Sequence, residues 1–337
     1  MKVDNLINFG IIGCSTIAEN STIPAILKSS EAKVLHIGSR SRNKAEKIAN
    51  KFDCSKYGTY EEVLDDKDVD CVYISTPVGT HAEWVEKAAK SGKHILCEKS
   101  STTSYKSAKK MCDVCRKYNV RLMEGFMYRF HPSHEKIKEV INNKIIGKPF
   151  SFYSRYGFPP IPKENIRFNK TLGGGILNDA GCYPINASRM LFNLEPRKVF
   201  CKLLIDEDNQ VDTTAIMLME FDHEVFSQST VSYNVFYQSI YSIWGTQGNV
   251  QLERAYNVPP NMKVKLKLSS SITNEEIFIE PVDHFKLMID SFSREIKNRN
   301  SCPYNFEKDL LNQARVMEAM RKSNFEKRWV DITEINL

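Results

Sequence analysis

The sequence lacks several features that would place it outside the ordinary globular enzymes. Its 337 residues contain no apolar run near the ~20 residues of a membrane-spanning helix. The chain passes almost directly from Met1 into a strand pattern, so we expect no signal peptide and a cytoplasmic location. Charge blocks and repeats are absent. The net charge of +6 is dispersed, which argues against nucleic-acid binding but permits an anionic ligand.

The cysteines and histidines do not have the spacing of a disulfide framework or a metal site. The nine cysteines are an odd number without regular spacing, so we expect reduced thiols and no disulfides. Cys112 and Cys115 form a CxxC inside an amphipathic segment, which favours helix packing over redox chemistry. His131 and His134 are too few for a metal site and are better explained as residues that begin a helix. No metal is predicted.

The first part of the chain predicts an α/β fold with a doubly wound parallel sheet. Short apolar runs alternate with helical periodicity, and the length prior suggests two domains. The predicted strands are 7–12, 33–38, 71–75, 94–97 and 121–124, and the predicted helices are 16–28, 42–52, 82–91 and 105–118, with a closing helix at 132–143.

The second part predicts an α+β domain with a large, mainly antiparallel sheet. Its strands are 150–156, 197–204, 213–221, 225–233, 237–244 and 264–268, with turns at 221–224 and 246–249 and helices at 175–192, 282–298 and 306–323. We place the domains at 1–125, with the closing helix to about 147, and at 148–337. A wide sheet covered by helices on one side leaves an apolar outer face, from which we expect a homodimer or homotetramer.

The first strand ends in a turn that partly matches a dinucleotide-binding fingerprint. Gly13 supplies the turn and Ala18 the close helix–strand contact, whereas Ser15 replaces the second glycine. A helix N-terminus here would present free N–H groups to a phosphate. Many such turns bind nothing, so the fingerprint alone leaves the question open. If it binds, the contacts come from Gly13, Cys14, Ser15, Thr16 and Ile17.

The second strand ends in residues that favour NADP(H) over NAD. Ser39 occupies the position where an NAD site normally carries an acidic residue, and Arg40 follows at once. Lys44 lies one helical turn further on. A guanidinium can bind a 2′-phosphate that a carboxylate would repel. The alternative is a solvated basic helix start, although cations are disfavoured at a helix N-terminus.

The fourth and fifth strands also end in polar residues, where ligands of open α/β sheets bind. The fourth is followed by Ser75, Thr76 and Pro77, then by His81, which either contacts a ribose or only begins a helix. The fifth is followed by Glu98 and Lys99, which form either a surface ion pair or part of a crevice. A partly desolvated lysine there could act as an acid or position a carbonyl.

The second domain contains one further candidate constellation. Three glycines, 173–175, would allow a ligand to approach the backbone closely. Asp179 and Tyr183 share one helix face and could form a proton relay, or they could be a helix cap and a buried tyrosine. Arg129 and Arg167 could reach an anionic group, but a structural role is the simpler interpretation.

Taken together, these motifs resemble the Gfo/Idh/MocA oxidoreductase family over nearly the whole chain. The resemblance rests on the Gly10–Gly13 turn, Ser39-Arg40, Ser75-Thr76-Pro77, the 92–99 stretch ending in Glu98-Lys99, the 124–132 stretch, and the 173–183 stretch. It implies a Rossmann domain, an open-faced α/β domain that often forms the dimer, and hydride transfer between a nicotinamide and a carbon bearing hydroxyl or carbonyl.

The resemblance also implies residue roles. Lys99 matches the family lysine that contacts the reacting oxygen, and Asp179 matches the aspartate of the second motif. Tyr183 stands where some members carry histidine and where dihydrodiol dehydrogenases, glucose–fructose oxidoreductase and deoxysugar ketoreductases carry tyrosine. Arg167 lies near a Trp-Arg pair that reaches over the cofactor in similar enzymes. Ser100 replaces a proline whose peptide bond is commonly cis, so either a trans bond or a retained cis bond is expected.

From these observations we expect an NADP(H)-dependent enzyme that reduces a keto-sugar, with or without a linked nucleotide. Tyr183 would supply the proton, Lys99 would hold the oxygen and favour the tyrosinate, and Asp179 would bind a neighbouring hydroxyl. Two alternatives stay open. One is a dehydrogenase of a free sugar, polyol or dihydrodiol, and the other is a catalytically silent NADP-binding regulator.

Overall fold

The computed structural model describes residues 6–299 and 304–336 and divides the chain into two compact units. Unit 1 comprises Met1–Met127 and Phe285–Leu311, and unit 2 comprises Tyr128–His284 and Asn312–Leu337. Within the described ranges, no helix combines the length and apolarity needed to cross a membrane.

Strands and helices alternate in the first part of the chain, whereas β8 to β14 follow one another with no α-helix between them. The strands are β1 (Ile7–Ile12), β2 (Ala32–Gly38), β3 (Lys56–Gly58), β4 (Cys71–Ile74), β5 (His94–Cys97), β6 (Leu122–Glu124), β7 (Pro149–Gly157), β8 (Lys198–Ile205), β9 (Asp212–Glu220), β10 (Phe226–Ser232), β11 (Gln238–Gly245), β12 (Gly248–Glu253), β13 (Val264–Ser270), β14 (Asn274–Ile279) and β15 (Val330–Asp331). The helices are α1 (Ile23–Leu27), α2 (Arg42–Lys51), α3 (Tyr60–Asp65), α4 (His81–Lys90), α5 (Tyr105–Lys117), α6 (Pro132–Asn142), α7 (Cys182–Phe192), α8 (His284–Lys297) and α9 (Phe306–Glu326). A π-helical turn precedes α1 at Ala18–Thr22 and another precedes α7 at Leu177–Gly181.

Unit 1 contains the predicted parallel sheet, in the order β3-β2-β1-β4-β5-β6. The central strands are buried on both faces, which explains their continuous apolar runs. The order reverses between β1 and β4, so the carboxyl ends of these two strands flank a switch point where ligands of such sheets bind. The doubly wound prediction is confirmed.

Unit 2 contains a nine-stranded sheet in the order β14-β13-β12-β11-β7-β10-β9-β8-β15. Its neighbours pair antiparallel except β7 and β10, which pair parallel, so the mainly antiparallel prediction is confirmed. One face packs against α7, as shown by Phe152 of β7, whose ring lies 6.3 Å from that of Phe192 in α7. The opposite face carries exposed side chains that alternate with the buried ones.

The unit boundaries differ from the predicted domain boundaries in two places. Helix α6, predicted to close the first domain, belongs to unit 2, whereas most of α8 and the start of α9 belong to unit 1. The reason is a buried ion-pair cluster in unit 1, in which Arg121 binds Glu295 of α8 and, at 2.9 Å, Glu307 of α9. Sequence periodicity does not indicate such a return of the chain.

Candidate functional site

The turn after β1 requires glycine at position 13. Gly13 has φ +109°, and a Cβ at this position would lie 3.1 Å from both the carbonyl carbon and the Oγ of Ser75. The ends of β1 and β4 therefore approach each other too closely for a side chain. Next to it, the thiol of Cys14 is buried and contacts the carbonyl oxygen of Gly38 at 3.7 Å, and burial raises the pKa of this thiol.

Ser15, which replaces the second fingerprint glycine, turns its hydroxyl back onto the protein. Its Oγ accepts a hydrogen bond from the N–H of Ala18 at 3.1 Å and donates to Ser75 Oγ at 2.9 Å. Ser75 Oγ in turn donates to the carbonyl oxygen of Gly13 at 2.8 Å. The serine therefore closes the first helical turn and ties it to β4, while Thr16 stays exposed and Ile17 half-buried beside it.

Arg40 and Lys44 form a cationic patch at the end of β2. Both side chains are exposed, and neither lies within ion-pair distance of a carboxylate in the residues that the structure describes. Arg42, between them, instead binds Glu62 with Nη1 to Oε1 at 2.9 Å. Ser39 is buried beneath the patch, and its Oγ accepts from the N–H of Ser41 at 3.3 Å.

His81 is a structural residue in unit 1. Its Nε2 lies 2.7 Å from the carbonyl oxygen of Thr76, and its Nδ1 lies 3.1 Å from that of Ser100. Burial lowers the pKa of the imidazole to about 4, so it is neutral at pH 7. Because both ring nitrogens contact the backbone, we do not retain the predicted ribose contact in the proposal below. His81 joins the loop of Thr76 and Pro77 to the loop that follows Lys99.

Glu98 and Lys99 do not form a simple surface ion pair. The hydroxyl of Tyr73 donates to Glu98 Oε1 at 2.6 Å, and the N–H of Lys99 donates to Oε2 at 3.3 Å. Burial raises the pKa of the Glu98 carboxyl. The Lys99–Ser100 peptide bond is cis, which is the second of the two predicted alternatives.

In unit 2, Asp179 is the acceptor of a three-residue cluster. Its Oδ2 accepts from Arg167 Nε at 2.7 Å and from the hydroxyl of Tyr233 at 3.2 Å. The neighbouring carboxylate raises the pKa of the Arg167 guanidinium, so this is a stable ion pair. Tyr233 lies in the stretch 231–241 from which we expect substrate contacts, but its link to Asp179 was not predicted, because nothing in the pattern of β10 connects its end to the distant 179–183 segment.

Gly174 and Gly175 face other protein groups rather than open space. The N–H of Gly174 donates to Asn169 O and that of Gly175 donates to Arg167 O, each at 2.9 Å. A Cβ on Gly174 would lie 2.5 Å from Arg167 O, and one on Gly175 would lie 2.4 Å from Asp212 Oδ1. We expected these glycines to allow close approach of a ligand, and this prediction is wrong. They instead allow the segment that carries Arg167 to pack beside Asp179.

Tyr183 is buried within a cluster of tyrosines. Its ring centroid lies 5.6 Å from that of Tyr128 and 5.4 Å from those of Tyr156 and Tyr256. The preceding residue is fixed by a buried amide, since Gln313 Nε2 donates to the carbonyl oxygen of Cys182 at 2.9 Å. The Tyr183 ring is thus held on several sides at the start of α7.

A second group of candidates has structural roles, as predicted. His131 is the N-cap of α6 and accepts from the N–H of Ser133, and Arg129 Nη1 donates to Asn186 Oδ1 at 3.2 Å. Cys112 and Cys115 are buried in α5, and burial raises the pKa of the Cys112 thiol to about 12. The described residues contain no cluster of three or more metal-ligating side chains.

Comparison with known proteins gives a consistent picture. Residues 7–126 match the family model described as "Oxidoreductase family, NAD-binding Rossmann fold", and residues 134–251 match the "GFO/IDH/MocA C-terminal domain". The chain is 29% identical over 292 residues to the dTDP-3,4-didehydro-2,6-dideoxy-alpha-D-glucose 3-reductase of Saccharopolyspora spinosa, covering 86% of this chain and 88% of the relative. It is 32% identical over 317 residues to D-xylose 1-dehydrogenase (NADP(+)) 2 of Haloferax volcanii, covering 94% and 96%.

Among solved structures, KijD10, a 3-ketoreductase from Actinomadura kijaniata in complex with NADP and TDP-benzene, is similar over most of both chains. The TM-score is 0.89 and the identity 30%, with 95% of this chain and 98% of that chain covered.

Proposed function

The chain belongs to the Gfo/Idh/MocA oxidoreductase family, and we propose that it uses NADP(H) to reduce the carbonyl group of a keto-sugar. The observation that carries the proposal is the pairing of two features in one chain. Unit 1 presents the uncompensated cations Arg40 and Lys44 beside a dinucleotide-binding turn, and unit 2 presents Tyr183 with Asp179 at the start of α7. The similarity to a dTDP-sugar reductase supports the reaction, and the similarity to an NADP(+)-dependent xylose dehydrogenase supports the cofactor.

The residues of unit 1 fit an NADP cofactor. The turn of Gly13, Cys14 and Ser15 would hold the pyrophosphate through backbone N–H groups at a helix N-terminus. Arg40 and Lys44 would bind the 2′-phosphate, and Ser39 offers no carboxylate to repel it. When bound, the nicotinamide supplies the hydride. Thr76, Pro77 and Glu98 follow β4 and β5, where the ribose and nicotinamide lie in doubly wound sheets.

The proposed chemical roles fall to three side chains. Lys99 hydrogen-bonds the carbonyl oxygen and stabilises the negative charge that develops there. Tyr183 donates a proton to that oxygen as general acid. Asp179 accepts a hydrogen bond from a hydroxyl beside the carbonyl, and its ion pair with Arg167 holds the carboxylate in place.

A substrate screen tests this function directly. NADPH oxidation is followed with nucleotide-linked keto-sugars and with free ketoses, and NADP⁺ reduction is followed with free sugars, polyols and dihydrodiols. Turnover of a keto-sugar that depends on Tyr183 supports the proposal. The second candidate, a free-sugar dehydrogenase, is favoured by the likeness to the xylose enzyme and would appear as oxidation without ketone reduction. Tight NADPH binding without any turnover would identify a silent regulator.

We also propose, as predicted from the sequence, that the outer face of the unit 2 sheet forms a homodimer or homotetramer. This face carries Trp244, which is 62% exposed, and Phe150, whose ring contacts Trp244 edge-on at 5.7 Å. A shallow hollow beside them is lined by Tyr153, Gln228 and Asn249, among others. An apolar surface of this kind marks an interface. Light scattering that finds only monomer would refute the proposal. The cytoplasmic location stays a prediction.

A further inference from the structure

A strip of aromatic rings leads away from Tyr183 on the face of the unit 2 sheet that packs against α7. The Tyr156 ring lies 5.4 Å from that of Tyr183, Phe158 follows at 4.6 Å from Tyr156, and Tyr237 lies 6.5 Å from Phe158. We call Tyr156, Phe158 and Tyr237 the aromatic strip. Tyr156 is buried, whereas Phe158 and Tyr237 are half-buried, so the strip becomes more open as it leaves Tyr183.

An arginine without an acidic partner lies at the open end of the strip. The Cζ of Arg254 lies 4.5 Å from the centroid of the Tyr237 ring, so the guanidinium stacks on it. No carboxylate in ranges 6–299 and 304–336 lies within ion-pair distance of this side chain, which is exposed. The backbone of Arg254 is left-handed, with φ +55°, a conformation that non-glycine residues adopt rarely and that is concentrated at functional sites.

A second cation lies near the other end of the strip. Arg167 donates from Nε to Asp179 Oδ2 at 2.7 Å and from Nη1 to Asn165 Oδ1 at 3.3 Å. Its side chain is 42% exposed. The side of unit 2 that carries Tyr183 therefore offers a hydroxyl-bearing reaction centre, aromatic faces and two arginines. A free sugar carries neither a planar base to stack on a further ring nor an anionic phosphate to pair with a second guanidinium. A diphosphate joined to a nucleobase offers both.

We infer that Arg254 and Tyr237 bind the nucleoside diphosphate portion of a nucleotide-linked sugar. Arg254 contacts a phosphate through the donors that face away from Tyr237, and the base stacks on the aromatic strip at Tyr237 and Phe158. This inference rests on the proposed function and narrows its substrate class. It assigns the chain to sugar nucleotides rather than to free sugars such as xylose.

The test is calorimetric titration of the NADPH-saturated protein, since saturation blocks nucleotide binding in unit 1. The probes are thymidine diphosphate, uridine diphosphate, inorganic pyrophosphate and the free nucleosides. We expect a nucleoside diphosphate to bind, and Arg254→Ala to weaken that binding about tenfold to a hundredfold. Tyr237→Ala weakens it about fivefold or more by loss of stacking, whereas Tyr237→Phe leaves it nearly unchanged.

The chain supplies a matched control on the opposite face of the same sheet. Arg155 is exposed, lacks a carboxylate within ion-pair distance in the described ranges, and has its Cζ 5.8 Å from the ring centroid of Tyr153. Arg155→Ala should leave nucleoside diphosphate affinity unchanged, with light scattering to record the assembly state. NADPH affinity confirms that each variant is folded.

The outcomes separate this inference from the proposed function. If the wild type reduces a free keto-sugar but does not bind nucleoside diphosphates, the inference is overturned and the function stands. Equal losses in Arg254→Ala and Arg155→Ala also overturn it. If nucleoside diphosphates bind through Arg254 while no keto-sugar is reduced, the binding subsite stands and the proposed reaction fails.

Discussion

Arg40 and Arg42 lie two residues apart at the start of one helix and have opposite surroundings. Glu62 neutralises Arg42, whereas no carboxylate in the described ranges lies close enough to neutralise Arg40. An exposed cation kept free of acidic partners next to a dinucleotide-binding turn is suited to a phosphate. Sequence alone identified Arg40 by its position, but only the structure separates it from Arg42.

This difference gives the first prediction. Arg40→Ala should weaken NADPH binding by about tenfold or more, because charge-assisted hydrogen bonds to a phosphate contribute about 1.5–3 kcal/mol, and should change NADH binding little. Arg42→Ala is the control. It should change the affinity for neither cofactor and should lower the stability of the fold only slightly, because its ion pair with Glu62 is exposed. Fluorescence titration measures both cofactors. An enzyme that binds NADH better than NADPH would contradict the account.

The proposed function gives the chemical roles to Tyr183 and Lys99, so replacing either residue should separate binding from turnover. Tyr183→Phe keeps the ring in its tyrosine cluster and removes the proton, and we expect kcat to fall by about 10²–10⁴-fold. Lys99→Ala should lower kcat comparably. Both variants should retain NADPH affinity near that of the wild type. If steady-state kinetics show full turnover in both variants, the assignment of roles is wrong.

At the level of elements, α1 and α7 are each preceded by a π-helical turn, at Ala18–Thr22 and at Leu177–Gly181. Such turns are frequent at functional sites, and here one follows the fingerprint turn and the other contains Asp179. Helical periodicity predicted both helices but not the wider turn, because a single turn contains too few residues for its spacing to be recognised in the apolar pattern.

The start of α7 depends on an amide that sequence reasoning did not find. Gln313 donates to the carbonyl of Cys182 and accepts from Arg189 Nη1 at 2.8 Å and Asn186 Nδ2 at 3.3 Å. Because Gln313 lies 131 residues after Cys182, the sequence contains no local pattern that links the two. Gln313 illustrates why the rest of the candidate site was not predicted: the motifs identify the residues proposed to react, whereas the residues that support them come from distant elements.

We therefore expect Gln313→Leu to destabilise the fold by about 1–3 kcal/mol, since three buried hydrogen bonds are lost at once. The thermal midpoint should fall by several degrees, and kcat should fall while NADPH affinity is kept. Asn312→Ala is the neighbouring control, because its hydrogen bond to Glu195 is exposed. If thermal denaturation gives Gln313→Leu and Asn312→Ala the same midpoint as the wild type, Gln313 does not stabilise the fold.

For the whole molecule, the fold class and most elements followed from the sequence. Short apolar runs between helical segments identified five of the six parallel strands. The alternation of apolar and polar residues identified six of the nine strands in the second sheet. β3 and α3 were missed, although Thr59 and Glu62 form a capping box that the sequence displays. The strands β12, β14 and β15 were missed because they are short or polar. No local pattern in the sequence predicts that most of α8 and the start of α9 belong to unit 1.

The buried histidines predict how stability depends on pH. Burial lowers the pKa of His81, His94 and His131 to about 4 and that of His284 to about 3, and it lowers the pKa of His134 well below its usual value. An unfolded histidine titrates at about 6.5. Between these values the unfolded chain binds more protons, so stability falls as pH falls from about 6.5 to about 4. Glu98 and Asp212, whose pKa burial raises, act in the opposite sense but are outnumbered.

Thermal denaturation across this pH range measures the effect. We expect a flat midpoint above pH ~7 and a steep fall below ~6.5, with a shallower slope in His134→Gln and an unchanged slope in the exposed His223→Gln. A midpoint that rises on acidification would contradict the sign.

We propose that hydride passes from NADPH to a sugar carbonyl, and the fate of a labelled hydride reports on that step itself. NADPH carrying deuterium at both C4 hydrogens of the nicotinamide is incubated with the protein and a nucleotide-linked keto-sugar, and the product is analysed by mass spectrometry. We expect one deuterium on the new carbinol carbon of the sugar, and none when the protein is Tyr183→Phe. NADPH binding without deuterium in any keto-sugar offered would show that the proposed reaction is wrong.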